Sequence, residues 1–114
     1  MLNIENLKAL GADTDEGLAR CLNNKDFYLR MVSMVLADDG FERLEKAIEE
    51  NDLKEAFERA HALKGTLGNV SLKPLLAPVS EMTEELRAEK DIDYAPYIEK
   101  MKEELSAFRG LLTD

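Results

Sequence analysis

Between Leu53 and Val70 the chain sets apolar residues at 53, 56, 60, 63, 67 and 70. Steps of three and four match the 3.6-residue turn of an α-helix, and a strand would scatter that set over both its faces. Asp52 stands where an N-cap belongs. Glu55 occupies the position that completes a capping box, with Asp in place of the usual Ser or Thr. The stripe keeps its phase through Gly65 and Gly68, although a glycine in a helix interior costs about 1 kcal/mol relative to alanine. A cap at Gly65 followed by a turn at Gly68-Asn69 is the competing reading. The in-phase Leu67 and Val70 favour one continuous helix.

The same periodicity recurs along the chain. Phe27, Met31, Met34 and Val35 form a stripe in a helix that Gly40 closes. Phe41, Leu44 and Ile48 form the next, which stops at Asn51-Asp52. After a break at Ser71 or Lys73, Pro74 fits the first turn of a further helix. Pro78 comes too late for that turn and kinks the helix or marks its true start. Tyr97 or Ile98, Met101, Leu105, Phe108 and Leu112 make the last stripe. Two short amphipathic segments precede them all, one ended by Gly11 and one carrying Leu18, Cys21 and Leu22. No strand-like alternation occurs. The spacing predicts an all-α fold: an antiparallel up-down four-helix bundle over residues 24–114, with short extra N-terminal helices as a cap over 1–23, in one domain of 1–114.

Charge and cysteine content narrow the functional classes. A net charge of −9 argues against nucleic-acid or anionic-membrane binding. Cys21 is the single cysteine, so no intrachain disulfide forms and a reducing compartment fits. The N-terminal MLNIENLKAL lacks the basic start and apolar run of a secretory signal, and no stretch approaches the roughly 20 apolar residues of a membrane span. A cytoplasmic location is expected.

His61 is the only histidine. On the helical wheel it lies away from the 53–70 stripe, so its ring is expected to face solvent. Gly65 and Gly68 fall beside it and leave the ring open, and Lys64 brings a positive charge within reach of an anion on the ring. An imidazole is largely neutral near pH 7 and is a good nucleophile. Metal binding is not expected, because no second histidine or ligand spacing accompanies it. No Ser-His-Asp or Cys-His arrangement and no nucleotide loop is readable. A group carried on His61 would therefore come from another protein.

The run AHALKGTLGNVSLKPL resembles the phosphoacceptor helix of histidine-containing phosphotransfer (HPt) domains, in a His-x-Leu-Lys-Gly pattern matched by His61, Leu63, Lys64, Gly65 and Gly68. The helices before and after extend the resemblance over most of the chain. It implies that His61 is phosphorylated on Nε2, that Lys64 neutralises phosphoryl charge, and that Gly65 and Gly68 clear room for a receiver domain. A polar side chain of the next helix usually orients the ring. By spacing that position is Thr83, with Glu81 and Glu84 nearby, where glutamine or glutamate is more usual. Ser71 stands where the family most often has glycine, a departure expected to affect the turn. Phe57 is a candidate for docking the receiver, as are some of Met31, Met34 and Val35, although core burial is the simpler role for that stripe.

The resemblance further implies a carrier with no intrinsic kinase activity and no cofactor of its own. Its partners would be the receiver domain of a response regulator or a hybrid sensor histidine kinase. The receiver would supply the phospho-aspartate and Mg²⁺, and the chain would act as a monomer. The main competing reading is a helical adaptor in which His61 is not phosphorylated. An acid–base enzyme pairing His61 with Glu58 or Glu84 would need a pocket that an exposed helix face does not provide.

Overall fold

The computed structural model describes residues 1–113. Seven α-helices run in sequence: α1 (Ile4–Ala9), α2 (Thr14–Arg20), α3 (Lys25–Ala37), α4 (Gly40–Glu49), α5 (Leu53–Asn69), α6 (Lys73–Arg87) and α7 (Ala95–Arg109), followed by a 3₁₀ turn at Gly110–Leu112. Among the described residues there is no strand, and the all-α class is as expected. Residues 24–113 hold five α-helices, α3 to α7. The long helices neighbour one another in the order α4, α5, α6, α7, α3.

α5 follows its stripe. Ala56, Ala60, Leu63 and Leu67 are buried along it, Val70 caps its end, and the helix passes through both glycines without interruption. Asp52 caps it by accepting from Glu55 N at 3.1 Å. The reciprocal half of a capping box is not made: Glu55 turns to Arg59 at 2.7 Å, and Asp52 N donates to the Ala47 carbonyl.

Three local expectations change. In α3 the buried face is Tyr28, Val32, Val35 and Leu36, one residue out of phase with the expected stripe. Phe27 and Met34 are left 43% and 62% exposed. Tyr28 wins the core position because its hydroxyl reaches the Val70 carbonyl at 2.9 Å, which satisfies the polar end of a fully buried ring. Gly40 opens α4 instead of closing α3. Asp38 leaves the helical region at ψ 132° and its carboxylate accepts from Gly40 N at 2.8 Å, so an aspartate makes the break. Pro78 does not mark the start of its helix; it lies buried inside α6, which begins at Lys73 with Pro74 in its first turn.

Two seams fix the ends of the helices. Arg109 of α7 donates to the Leu36 and Asp38 carbonyls at 2.7 and 3.2 Å and pairs with Glu42, so it closes the C-terminal end of α3 from across the bundle. At the α5–α6 turn, the Ser71 carbonyl accepts from Asp13 N at 3.0 Å. The Glu16 carboxylate of α2 accepts from Ser71 Oγ and Lys73 Nζ, both at 2.8 Å. The two short N-terminal helices are thereby tied to the turn that ends the histidine-bearing helix.

Candidate functional site

α5 presents two faces with different tasks. One packs into the core, and the other carries Phe57, His61, Lys64, Gly65 and Gly68 along one side. His61 is exposed, as the wheel predicts, and Lys64 follows it by one turn. A Cβ built at Gly65 or at Gly68 would meet nothing within 4 Å, so the surface C-terminal to the ring is open space. No packing or backbone need accounts for glycine at either position. Both remain in helical geometry, where alanine would be more stable.

The ring is held by apolar contact. Phe57, one turn earlier and half-buried, stacks on His61 with centroids 5.7 Å apart and planes 15° from parallel. Among the described residues His61 makes no side-chain hydrogen bond. Thr83, the position expected to orient it, is fully buried, and its hydroxyl donates back to the Val79 carbonyl at 2.6 Å. That hydroxyl serves its own helix, a common alternative for threonine within a helix.

Across the groove, α6 supplies a group that periodicity alone does not reveal. Glu84 accepts from Lys64 Nζ at 3.3 Å and from Arg87 Nε at 3.0 Å. The Arg87 guanidinium lies 5.1 Å from the Phe57 ring centroid, in cation–π range. Arg87 and Lys64 together hold the Glu84 carboxyl below the usual carboxylate range. Glu84 is near in sequence to the expected Thr83, but its part depends on which α6 residues face Lys64. Arg87 carries no sequence signal of its own beyond lying one turn after Glu84.

Ser71 occupies the end of the turn with φ 56°, in the left-handed region that favours glycine. That geometry is a physical reason for glycine to be preferred at such a turn. Here the serine hydroxyl is used in the bond to Glu16. At the same end of α5, Asn69 and Val70 border a shallow hollow with Cys21, Phe27 and Met31.

Among the described residues no cluster of His, Cys, Asp or Glu has the makings of a metal site, and no helix is long and apolar enough to cross a membrane. Five hollows on the surface are open to solvent, and none of the five is lined by His61. The geometry thus offers an accessible nucleophilic ring, a nearby cation and cleared space, without an enclosing pocket.

No curated protein and no solved structure matches the chain. The family model for the Hpt domain matches residues 31–111, from within α3 to the 3₁₀ turn after α7. That span includes α5 and all the groups around His61. Hpt domains act in histidine phosphotransfer within two-component phosphorelays, where they interact with receiver domains and serve as carriers. A match over more than two thirds of the length means that this chain belongs to the Hpt domain family.

Proposed function

We propose that the chain is a phosphorelay carrier in which His61 is the phosphoacceptor. The observation that carries this reading is the exposed His61 ring beside two glycines whose missing side chains leave open space. In the proposed step, Nε2 of the neutral ring attacks the phosphorus of a receiver's aspartyl phosphate in line. The N–P bond forms as the O–P bond breaks, and the aspartate leaves as a carboxylate with the electron pair. The Nδ1 proton stays on the ring, so no base is needed. The reverse step delivers the group to a second aspartate.

The receiver contributes the metal and most of the charge stabilisation. This chain contributes position. Stacking on Phe57 limits rotation of the ring, Lys64 meets the phosphoryl oxygens, and Gly65 and Gly68 admit the receiver. The packing of α4 on α5, α5 on α6, α6 on α7 and α3 on α7 supports an up-down four-helix reading in which α3 and α4 together take the place of one arm. In this reading the chain works as a cytoplasmic monomer and turns over no substrate of its own.

The test is phosphoryl transfer from a phosphorylated receiver domain of the same organism to the wild type and to His61→Gln. Acid-labile label on the wild type alone supports the reading. Equal labelling of both, or of neither by any receiver tried, would remove His61 as the site and leave the helical adaptor.

A further inference from the structure

A carrier must accept a phosphoryl group and also give it up, so the charge facing the ring has to be balanced. The ion network across α5 and α6 has the form of such a balance. Lys64 follows His61 by one turn on the same side of α5, yet its ammonium is engaged by Glu84 Oε1 at 3.3 Å. The other carboxylate oxygen holds Arg87 at 3.0 Å, and Arg87 lies over Phe57, which stacks on His61. One carboxylate therefore engages two cations, Lys64 one turn along α5 from His61 and Arg87 over the ring that stacks on it. We infer that Glu84 is a positioning residue that acts through Lys64, competing with a phosphoryl group on His61 and so keeping that group transferable. This rests on the phosphoacceptor reading of His61.

The charges support an exchange of partners. Glu84 brings one negative charge, whereas a phosphoryl group brings about −1.5 to −2 at neutral pH. Lys64 and Glu84 are both solvent-exposed to a substantial degree, with side-chain exposures of 37% and 53%. Exposed pairs of this kind are weak and re-form readily. On phosphorylation Lys64 turns from Glu84 to the phosphoryl oxygens while Arg87 keeps the carboxylate in place. Before phosphorylation the pairing leaves one net positive charge among Lys64, Arg87 and Glu84. Without Glu84 there would be two, and the phosphorylated state would be favoured.

The experiment measures how label divides at equilibrium between a phosphorylated receiver domain and the full chain, as wild type, Glu84→Gln, Lys64→Gln and the double variant. Glu84→Gln is expected to shift the division toward His61 by about two- to fivefold, within the upper part of the range for an exposed ion pair. In the Lys64→Gln background the same change should shift it by less than about 1.5-fold. The shift should also shrink as salt rises from roughly 0.05 to 0.5 M, because screening weakens exposed pairs. A Glu84→Asp variant should restore the wild-type division.

A wild type that labels normally, with no shift on Glu84→Gln or with a shift that persists without Lys64, overturns this inference and leaves the phosphoacceptor reading intact. A wild type that takes no acid-labile label overturns both. A merely structural role for Glu84 would alter unfolding stability without this dependence on Lys64.

Discussion

Glu16 holds Ser71 Oγ and Lys73 Nζ, both at 2.8 Å, and Glu84 holds Arg87 at 3.0 Å and Lys64 at 3.3 Å. Glu16 also accepts from Arg20 of its own helix at 3.4 Å, and Glu84 takes Lys64 from across the helix pair and Arg87 from one turn along its own helix. Their surroundings differ. Ser71 is fully buried, its backbone is bonded to Asp13, and its hydroxyl points from a fixed turn. The Glu16 carboxyl is pushed down to about 2, chiefly by the exposed Lys73 ammonium and then by the Ser71 hydroxyl. Around Glu84 every donor sits on a long, exposed side chain. The same chemistry makes a fixed seam where one donor is immobile, and an exchangeable pairing where both donors can leave.

The largest effect that would test this contrast is expected beside Glu16. Gly17 lies against the Tyr28 ring, and a Cβ there would collide with it and come within 2.8 Å of its hydroxyl oxygen. Gly17→Ala should destabilise the fold by about 1–3 kcal/mol, the usual range for overpacking, as read from chemical unfolding. If stability is unchanged, the N-terminal helices are not held by the core as described.

Acid should separate the two carboxylates next. Glu16 has a folded pKa below its ordinary 4.5, so its contribution is fully present above about 4.5 and is lost as pH falls toward about 2. The stability gap between wild type and Glu16→Gln should therefore be widest near neutral pH and narrow across that window. Unfolding curves at pH 7 and pH 3 check this. A gap that stays constant would show that Glu16 is not ionically engaged in the folded state.

Gly65 gives an effect of opposite sign to Gly17. Its Cβ position is empty, so Gly65→Ala should stabilise the helix by about 0.5–1 kcal/mol through propensity alone. The same change should slow labelling by a phosphorylated receiver, because the added methyl stands beside His61. Higher stability with undiminished transfer would mean that the glycine is not there for clearance.

What could be read from sequence divides along the same lines as these effects. The course of α5 was legible, because its buried stripe keeps one phase through both glycines, although the reciprocal half of its capping box was not. His61, Lys64, Gly65 and Gly68 were legible with it, being neighbours on a single helix. α3 was not, because Phe27, Tyr28, Met31, Val32, Met34 and Val35 offer apolar side chains on more than one face. The choice among them is made by distant groups, Val70 accepting from the Tyr28 hydroxyl and Gly17 making room for its ring. The break before α4 rests on a local bond of Asp38 that competes with the more familiar helix-ending glycine. The Glu84–Arg87 side of the site depends on the register of α6 against α5, which no spacing within either helix determines. Thr83 was correctly placed on the facing helix, but its hydroxyl has a nearer acceptor in Val79.

The smallest effect is expected for Ser71→Gly, and its comparison with Ser71→Ala separates backbone strain from the hydrogen bond that offsets it. At φ 56° a residue with a side chain pays about 1–2 kcal/mol relative to a relaxed backbone. The hydroxyl recovers part of that through its charge-assisted bond to the Glu16 carboxylate. Ser71→Ala loses the bond and keeps the strain, so it should destabilise by about 1 kcal/mol. Ser71→Gly loses the bond and relieves the strain, so it should lie within about 0.5 kcal/mol of wild type. Neither should change transfer to His61, which lies more than two helical turns away on the open face. Should Ser71→Gly prove as damaging as Ser71→Ala, the left-handed turn is not the costly element, and the Glu16 seam alone would account for serine at this position.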